Sequence, residues 1–261
     1  MLASKTFFSF TEVAPSRHQE YNAWHQLDHF PENLALPGVI HGQRWVRSPD
    51  CAAAGPPPAE PLTNTHYVTM YWFRDPAEES FQQWRRLGEQ SFQWGRRQEI
   101  PFTRRPLMGT FTPVKGYVNP RVRVSPDALP FRPNLGMDIN VTWLAKPRGQ
   151  DTHDLFGWYD REYIPELLSC TGAAGAWTFS SQGASFGQGA SFDEPADAEP
   201  GQLRILLVFL DQDPLRYLTD RNARAQQWRE SGRFPDTSAV ETPLLSSVLR
   251  TITPWQWDWF D

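Results

Sequence analysis

The sequence predicts an α+β protein: two tandem βαββαβ repeats packed sheet to sheet as one pseudo-dimeric α/β barrel, with the helices outside. Two observations lead there. The order strand, helix, strand, strand, helix, strand can be read twice along the 261 residues, and residues recur at a fixed spacing between the two readings. A third joins the halves. A four-stranded sheet with helices on one face leaves its other face bare, and a second sheet is the natural cover.

The recurrence centres on Tyr21 to Trp45, which packs a helix, a proline break, two spaced histidines and a strand into one unit. At a constant offset Trp24 maps to Trp158, Asp28 to Glu162, Pro31 to Pro165, Glu32 to Glu166 and Gly38 to Gly172. This is an internal duplication in which His25 and His29 stand where the second copy has Tyr159 and Tyr163. The scaffold is kept while the chemistry diverges, so a site is expected in the first half.

Taken in order, Thr6 to Val13 is rich in β-formers and makes a first strand. Arg17 to His29 follows as a helix, with Tyr21, Trp24, Leu27 and Phe30 near helical spacing. Pro31 has no N–H and crowds the preceding turn, so the helix is expected to kink or restart there, with Glu32 near the new N-terminus and Leu36-Pro37-Gly38 ending it. Val39 to Arg47 gives a second strand with Val39, His41, Gln43 and Trp45 on one face. Thr65 to Phe73 gives a third, with His66, Val68, Met70 and Trp72 on one face. Ser48 to Asn64, carrying Pro56-Pro57-Pro58, reads as a polar, proline-stiffened loop between them. Asp75-Pro76 caps a helix to about Ser91, and Pro106 to Val118 supplies the fourth strand.

The series restarts with a strand from Gly136 to Ala145, a helix from Thr152 to Cys170 and a strand from Ala173 to Ser181. Gln182 to Gly201 holds QGASF at Gln182 and again at Gln188, and is expected to be a mobile loop. Leu203 to Leu210 is a strongly apolar strand. Asp213-Pro214 starts the last long helix, where Gln226-Gln227-Trp228 echoes Gln82-Gln83-Trp84, and Leu244 to Thr253 is the final strand. The expected domains are residues 1–118, a proline-rich connector at 119–134, and residues 135–261. The last ends in an aromatic tail, Trp255 to Phe260, which reads as an edge strand, a flap over a hydrophobic opening, or a dimer contact.

Composition narrows the functions. Net charge is -5 with both signs interspersed, so no basic face is expected and nucleic acid is not an expected partner. Cys51 and Cys170 form neither a disulfide framework nor a zinc spacing, which fits a reducing cytoplasm. The N-terminus lacks a signal-peptide pattern and no stretch approaches a membrane span, so a cytoplasmic, unprocessed chain is expected. No Gly-rich phosphate loop, G-x-S-x-G elbow, CxxC pair or dinucleotide fingerprint occurs, which argues against nucleotide cofactors and serine hydrolase chemistry.

A βαββαβ unit whose first helix runs through Trp24, His29, Pro31 and Glu32 into Leu36-Pro37-Gly38-Val39 resembles the ferredoxin-like dimeric α/β-barrel superfamily, particularly its EthD-like branch. The resemblance covers both halves in element order, but the motif is intact only in the first. It implies a range of activities: cofactor-free monooxygenases, cyclases, isomerases, lyases and haem-linked enzymes. It also implies a ligand between helices and sheet within one half rather than in the barrel centre.

His25 and His29, four apart on one helix, lie on neighbouring turns of one face. Three readings stay open. In the first, His29 is a general acid/base oriented by Glu32, the position to which the resemblance also points, with His25 or His41 polarising a substrate oxygen. In the second, Asp28 or Glu32, or the strand residues His41 and His66, complete a metal site. In the third, the imidazoles satisfy buried hydrogen bonds. His41, His66, Trp45, Met70 and Trp72 are expected to line the chamber with Trp24, while Arg44, Arg104 and Arg105 are candidates to hold a substrate carboxylate or phenolate. Asp138, Asn140 and Thr142 form a polar stripe expected to make a hydrogen-bond network inside the barrel. The aromatic content of 14% suits an apolar pocket.

The expected function is therefore an enzyme without bound cofactor or metal, a lyase or isomerase acting by proton transfer on an aromatic compound, and a homodimer is possible. The alternatives are a monooxygenase or haem-linked enzyme, although the second helix of each half offers no histidine as axial ligand, and a protein that binds an aromatic ligand without reaction.

Overall fold

A computed structural model describes residues 3–95, 102–186 and 196–260. The first half contains β1 (Lys5–Val13), α1 (His18–Trp24), a π-helical segment (His25–His29), α2 (Phe30–Leu34), β2 (Val39–Val46), α3 (Pro49–Ala54), β3 (Tyr67–Phe73), α4 (Ala77–Gln93) and β4 (Thr103–Val118). After a 3₁₀ helix (Pro126–Phe131), the second half contains β5 (Gly136–Leu144), α5 (Gln150–Trp158), a second π-helical segment (Tyr159–Tyr163), α6 (Ile164–Ser169), β6 (Ala173–Phe186), β7 (Leu203–Leu210), α7 (Pro214–Glu230) and β8 (Glu241–Thr251). The second QGASF copy lies outside the described residues. Among the described residues no helix is long and apolar enough to cross a membrane.

The strands close into an antiparallel barrel in the order β1-β3-β2-β8-β5-β7-β6-β4, so each half contributes a sheet in which its first and third strands are central. Alternate residues point inward. Phe8, Phe10, Trp45, Met70, Phe111, Phe179 and Phe209 fill the interior, and the intervening residues Phe7, Tyr71 and Phe73 pack outward against Phe81 and Trp84 of α4. The barrel centre is thus a packed core.

Two seams join the halves, and they differ. Strands β4 and β6 pair from Leu107–Phe186 to Val118–Gly175, whereas β2 meets β8 through Trp45–Thr251 and Val46–Arg250. Asn134, from the connector, reinforces the short seam. Its Oδ1 accepts from Gln43 at 3.0 Å, Trp45 Nε1 at 3.3 Å and Thr251 Oγ1 at 2.6 Å.

Both proline-containing helices widen rather than break. The N–H of Phe30 reaches back to the carbonyl of His25, one residue beyond α-helical spacing, immediately before Pro31. Ile164 does the same to Tyr159 before Pro165. Proline removes a donor and its ring crowds the carbonyl four residues back, and a single wide turn accommodates both effects while the chain stays helical.

Several expectations change. A bulge between Val39 and His41 moves Val39 to the helix side, opposite His41 and Trp45. Part of the expected loop after β2 is helical, and α3 docks on the second half, burying Cys51 beside Val248 and Leu218. Arg250 ties it down, donating to Asp50 at 2.7 Å and also to Asp213. The two Asp-Pro pairs are not equivalent: Asp213 caps α7 by accepting from Leu215 N at 2.9 Å, whereas Asp75 accepts from Ser4 Oγ and makes no cap.

The polar stripe of β5 also faces the other way from expectation. Met137, Ile139 and Val141 occupy the barrel interior. Asp138 faces α7, accepting from Arg221 at 2.7 and 2.8 Å and from Tyr217 OH at 3.3 Å. A charged residue on a barrel strand is placed by its partner, and the guanidinium stands on the helix side.

Candidate functional site

A cluster of buried polar and aromatic side chains, referred to below as the chamber, lies between α1, its π segment and the outer face of β2 and β3. The wide turn brings the side chains four apart closer to register than an α-helix would. His25 and His29 meet edge to face at 5.1 Å between ring centroids, and Trp24 stacks on His29 at 4.7 Å, tilted by 13°.

Asn33 orients His29, with its Nδ2 3.2 Å from His29 Nε2, 2.9 Å from the His29 carbonyl and 3.3 Å from Tyr71 OH. The Asn33 amide has two N–H groups for these three neighbours, and the cluster holds the His29 ring against α2 and β3. Glu32, expected to orient His29, instead accepts from Ser91 Oγ of α4 at 3.1 Å. It follows the π turn, and the added residue in that turn rotates it toward α4.

His25 is 5% exposed and its Nδ1 has no hydrogen-bond partner. Burial first, then the positive charge of Arg44, holds its pKa well below the ordinary histidine range. It is a neutral imidazole at physiological pH. Burial likewise pushes the Tyr71 phenol upward, so it remains a hydroxyl donor.

Arg44 lies under these rings, 4% exposed. Its Nη2 donates to Asn22 Oδ1 at 3.1 Å, and Asn22 donates in turn to Tyr67 OH at 2.8 Å. The guanidinium also sits 5.4 Å from the Tyr21 ring and 5.9 Å from that of Tyr67. Its Nε and Nη1 are buried without partners. Half-buried Arg105 is close enough for its charge to act on both His25 and Tyr71.

Other expected site residues are elsewhere. On β2, His41 and Trp45 alternate with Arg44, and on β3, Met70 and Trp72 alternate with Tyr71, so these four face the barrel while Arg44 and Tyr71 face the helix. The sheet separates His41 from His25 and His29. Its ring meets Phe131 of the connector at 5.1 Å, beside a small cleft lined by Ile40, Trp72, Pro130 and Trp177. His66 precedes β3, accepting from Val13 N through Nδ1 at 3.1 Å and packing on His18 at 4.8 Å. Arg104 is exposed and paired with Glu12 at 3.6 Å. The ligand set considered for a metal is not brought together, and among the described residues no group of three or more His, Cys, Asp or Glu could hold a metal ion.

The tail makes a flap rather than a strand. Phe260 stacks on His18 at 4.2 Å and Trp259 meets Tyr67 at 6.5 Å. Gln26 of the π segment donates to Gln256 O at 2.7 Å and accepts from Trp255 N at 3.0 Å. The end of the second half therefore closes over the first. Asn22, Asn33, Tyr67 and Tyr71 were not anticipated as site residues. For the two tyrosines the signal was alternation, since Tyr67 and Tyr71 share the strand face opposite Val68, Met70 and Trp72; Asn22 and Asn33, on helices, carried none.

The matched chamber of the second half is built differently. Tyr159 donates to Glu241, and Trp158 stacks on Tyr163 at 5.3 Å. There Arg221 of α7, with 11% of its side chain exposed, has Asp138 as a buried carboxylate partner.

No family model matches the chain, and no curated protein sequence matches it. Solved structures do. An anthrone oxidase-like protein superposes with a TM-score of 0.54 at 11% identity, covering 97% of this chain and 92% of that one. A protein from Fusobacterium nucleatum subsp. nucleatum described as a putative monooxygenase superposes with a TM-score of 0.54 at 10% identity, covering 97% and 94%. The fold is that of the dimeric α/β barrels. At such identities the likeness is one of fold, and it covers both halves of the chain in a single superposition.

Proposed function

We propose that the protein is a small-molecule enzyme that works by proton transfer without a bound organic cofactor, in the helix–sheet chamber of the first half. The observation that carries this reading is the π turn, which holds His29 against Trp24 and Asn33 with neutral His25 at its edge. π turns inside α-helices recur at functional sites.

His29 is the general acid/base, and Asn33 takes the orienting role expected of Glu32. His25 and Tyr71 hydrogen-bond a substrate oxygen on which negative charge develops, and Trp24 and Tyr21 exclude water. Decarboxylation, elimination, isomerisation or cyclisation of an aromatic or polycyclic substrate fits this machinery, which makes the protein a lyase or isomerase of the EthD-like kind.

A second reading, monooxygenation, is supported by the names of the two similar structures. Its first step is the same, because removing a proton next to an aromatic ketone gives the carbanion or enolate that reacts with dioxygen. The two part afterwards. Turnover of a panel of aromatic acids and ketones, followed with an oxygen electrode, separates them. His29→Ala is expected to lower kcat at least about a hundredfold while leaving the circular dichroism spectrum unchanged. Full activity in this variant would overturn both readings.

A further inference from the structure

We propose that the chamber of the first half takes an aromatic acid, its carboxylate seated on Arg44 with Arg105 as the second cation. This deepens the reading of that chamber as a substrate site and rests on it. A guanidinium presents five N–H donors in a planar fork suited to a carboxylate. Arg44 is almost wholly removed from water, yet its one hydrogen bond goes to a neutral amide, and Nε and Nη1 are left over. No carboxylate pairs with Arg44 among the described residues.

Aromatic contact with Tyr21 and Tyr67 offsets part of the charge but satisfies neither N–H group. A second unpartnered donor or acceptor, His25 Nδ1, and a third group, Trp24 Nε1, are buried in the same chamber. The second half shows what the fold does when it satisfies such a cation itself. Arg221 of α7 faces Asp138 at 2.7 Å, near Tyr163 of the corresponding π turn. In the first half the matching negative charge is left for the ligand to bring. The rings of Tyr21, Trp24, Phe30 and Tyr71 around the site favour a flat hydrocarbon skeleton behind that carboxylate.

Isothermal titration of the full chain with 2-naphthoate and with the isosteric neutral 2-naphthamide tests the assignment. The wild type is expected to prefer the acid by about ten- to a hundredfold, the range of one charge-assisted hydrogen bond. Arg44→Met should abolish the preference. Arg105→Gln should reduce it several-fold, and serves if the first variant does not fold. Equal binding of acid and amide, binding of neither at millimolar concentration, or an undiminished preference in both variants would overturn the proposal. A His29 variant that still turns substrate over would remove the catalytic reading while leaving the anion site to stand or fall on the titration.

Discussion

Arg44 is buried on β2 below the first π turn, and Arg221, with 11% of its side chain exposed, lies on α7 near Tyr163 of the second; replacing each by methionine should have different energetic consequences. Arg221→Met strips Asp138, which is fully buried, of both its short ion-pair hydrogen bonds and leaves it only Tyr217. Breaking such a pair from one side costs about 3–5 kcal/mol. Arg44→Met removes a buried charge that no carboxylate among the described residues balances, recovering several kcal/mol of desolvation. Against this stand the lost bond to Asn22, whose oxygen is then unsatisfied at about 3 kcal/mol, and two cation–π contacts of about 0.5–1 kcal/mol each. The terms nearly cancel. Arg44→Met should therefore unfold in urea within about 1 kcal/mol of the wild type, and Arg221→Met at least about 2–3 kcal/mol below it. An aromatic acid at a hundred times its Kd should add about 2.7 kcal/mol to the wild type and nothing to Arg44→Met. A loss in Arg44→Met as large as that in Arg221→Met would show that Arg44 is a structural residue, and the argument from its unpartnered atoms would fail.

Three further outcomes follow from the packing. His66 accepts a backbone N–H through Nδ1, and burial with His18 and Arg47 nearby lowers its pKa from 6.5 to about 4. The unfolded chain takes up the proton first, so stability is full above pH 6.5 and falls as pH drops toward 4, by up to about 3 kcal/mol. His66→Gln should flatten that slope in urea titrations at pH 7 and pH 4.5, and an unchanged slope would assign it to other groups. Replacing both half-buried tail aromatics, Trp259→Ala with Phe260→Ala, should lower Tm by about 5 °C, and no shift would mean that the flap rests on the helix without stabilising it. A Cβ on Gly136 would stand 2.2 Å from the Leu249 carbonyl, whereas one on Gly183 meets Ala196 at 3.4 Å. Gly136→Ala should therefore cost at least about 3 kcal/mol and Gly183→Ala less than about 1, by the same urea assay.

Element order and the barrel were legible in the sequence because periodicity and the recurrence of Trp24 to Gly38 at Trp158 to Gly172 are local signals. Which face a strand residue takes was less so. One bulge at Val39–His41 reverses the parity on which the grouping of Val39 with His41 depended, and the inward or outward sense of β5 was decided by Arg221 on a distant helix. The histidine pair was visible from its spacing. That the turn between its members is π-helical was not, since proline's missing donor is compatible with a kink, a restart or a wide turn. The role of Asn33, one residue beyond the expected Glu32, follows from that extra width. The contact of Phe260 with His18 joins the ends of the chain, and no pattern in the sequence carries such a pairing.

The unequal seams have a mechanical consequence. Two identical subunits related by a twofold axis must meet through two identical seams, so neither can be strengthened without the other. A single chain carrying both halves is released from that constraint. Here one seam is a long ladder from Leu107 to Val118, a spine, and the other is a short latch at Trp45 and Val46 fastened by Asn134. Strain applied to the barrel will part it at the latch. The strand at that latch is β2, which carries Arg44 into the chamber, so the shorter of the two seams runs along the wall of the candidate site.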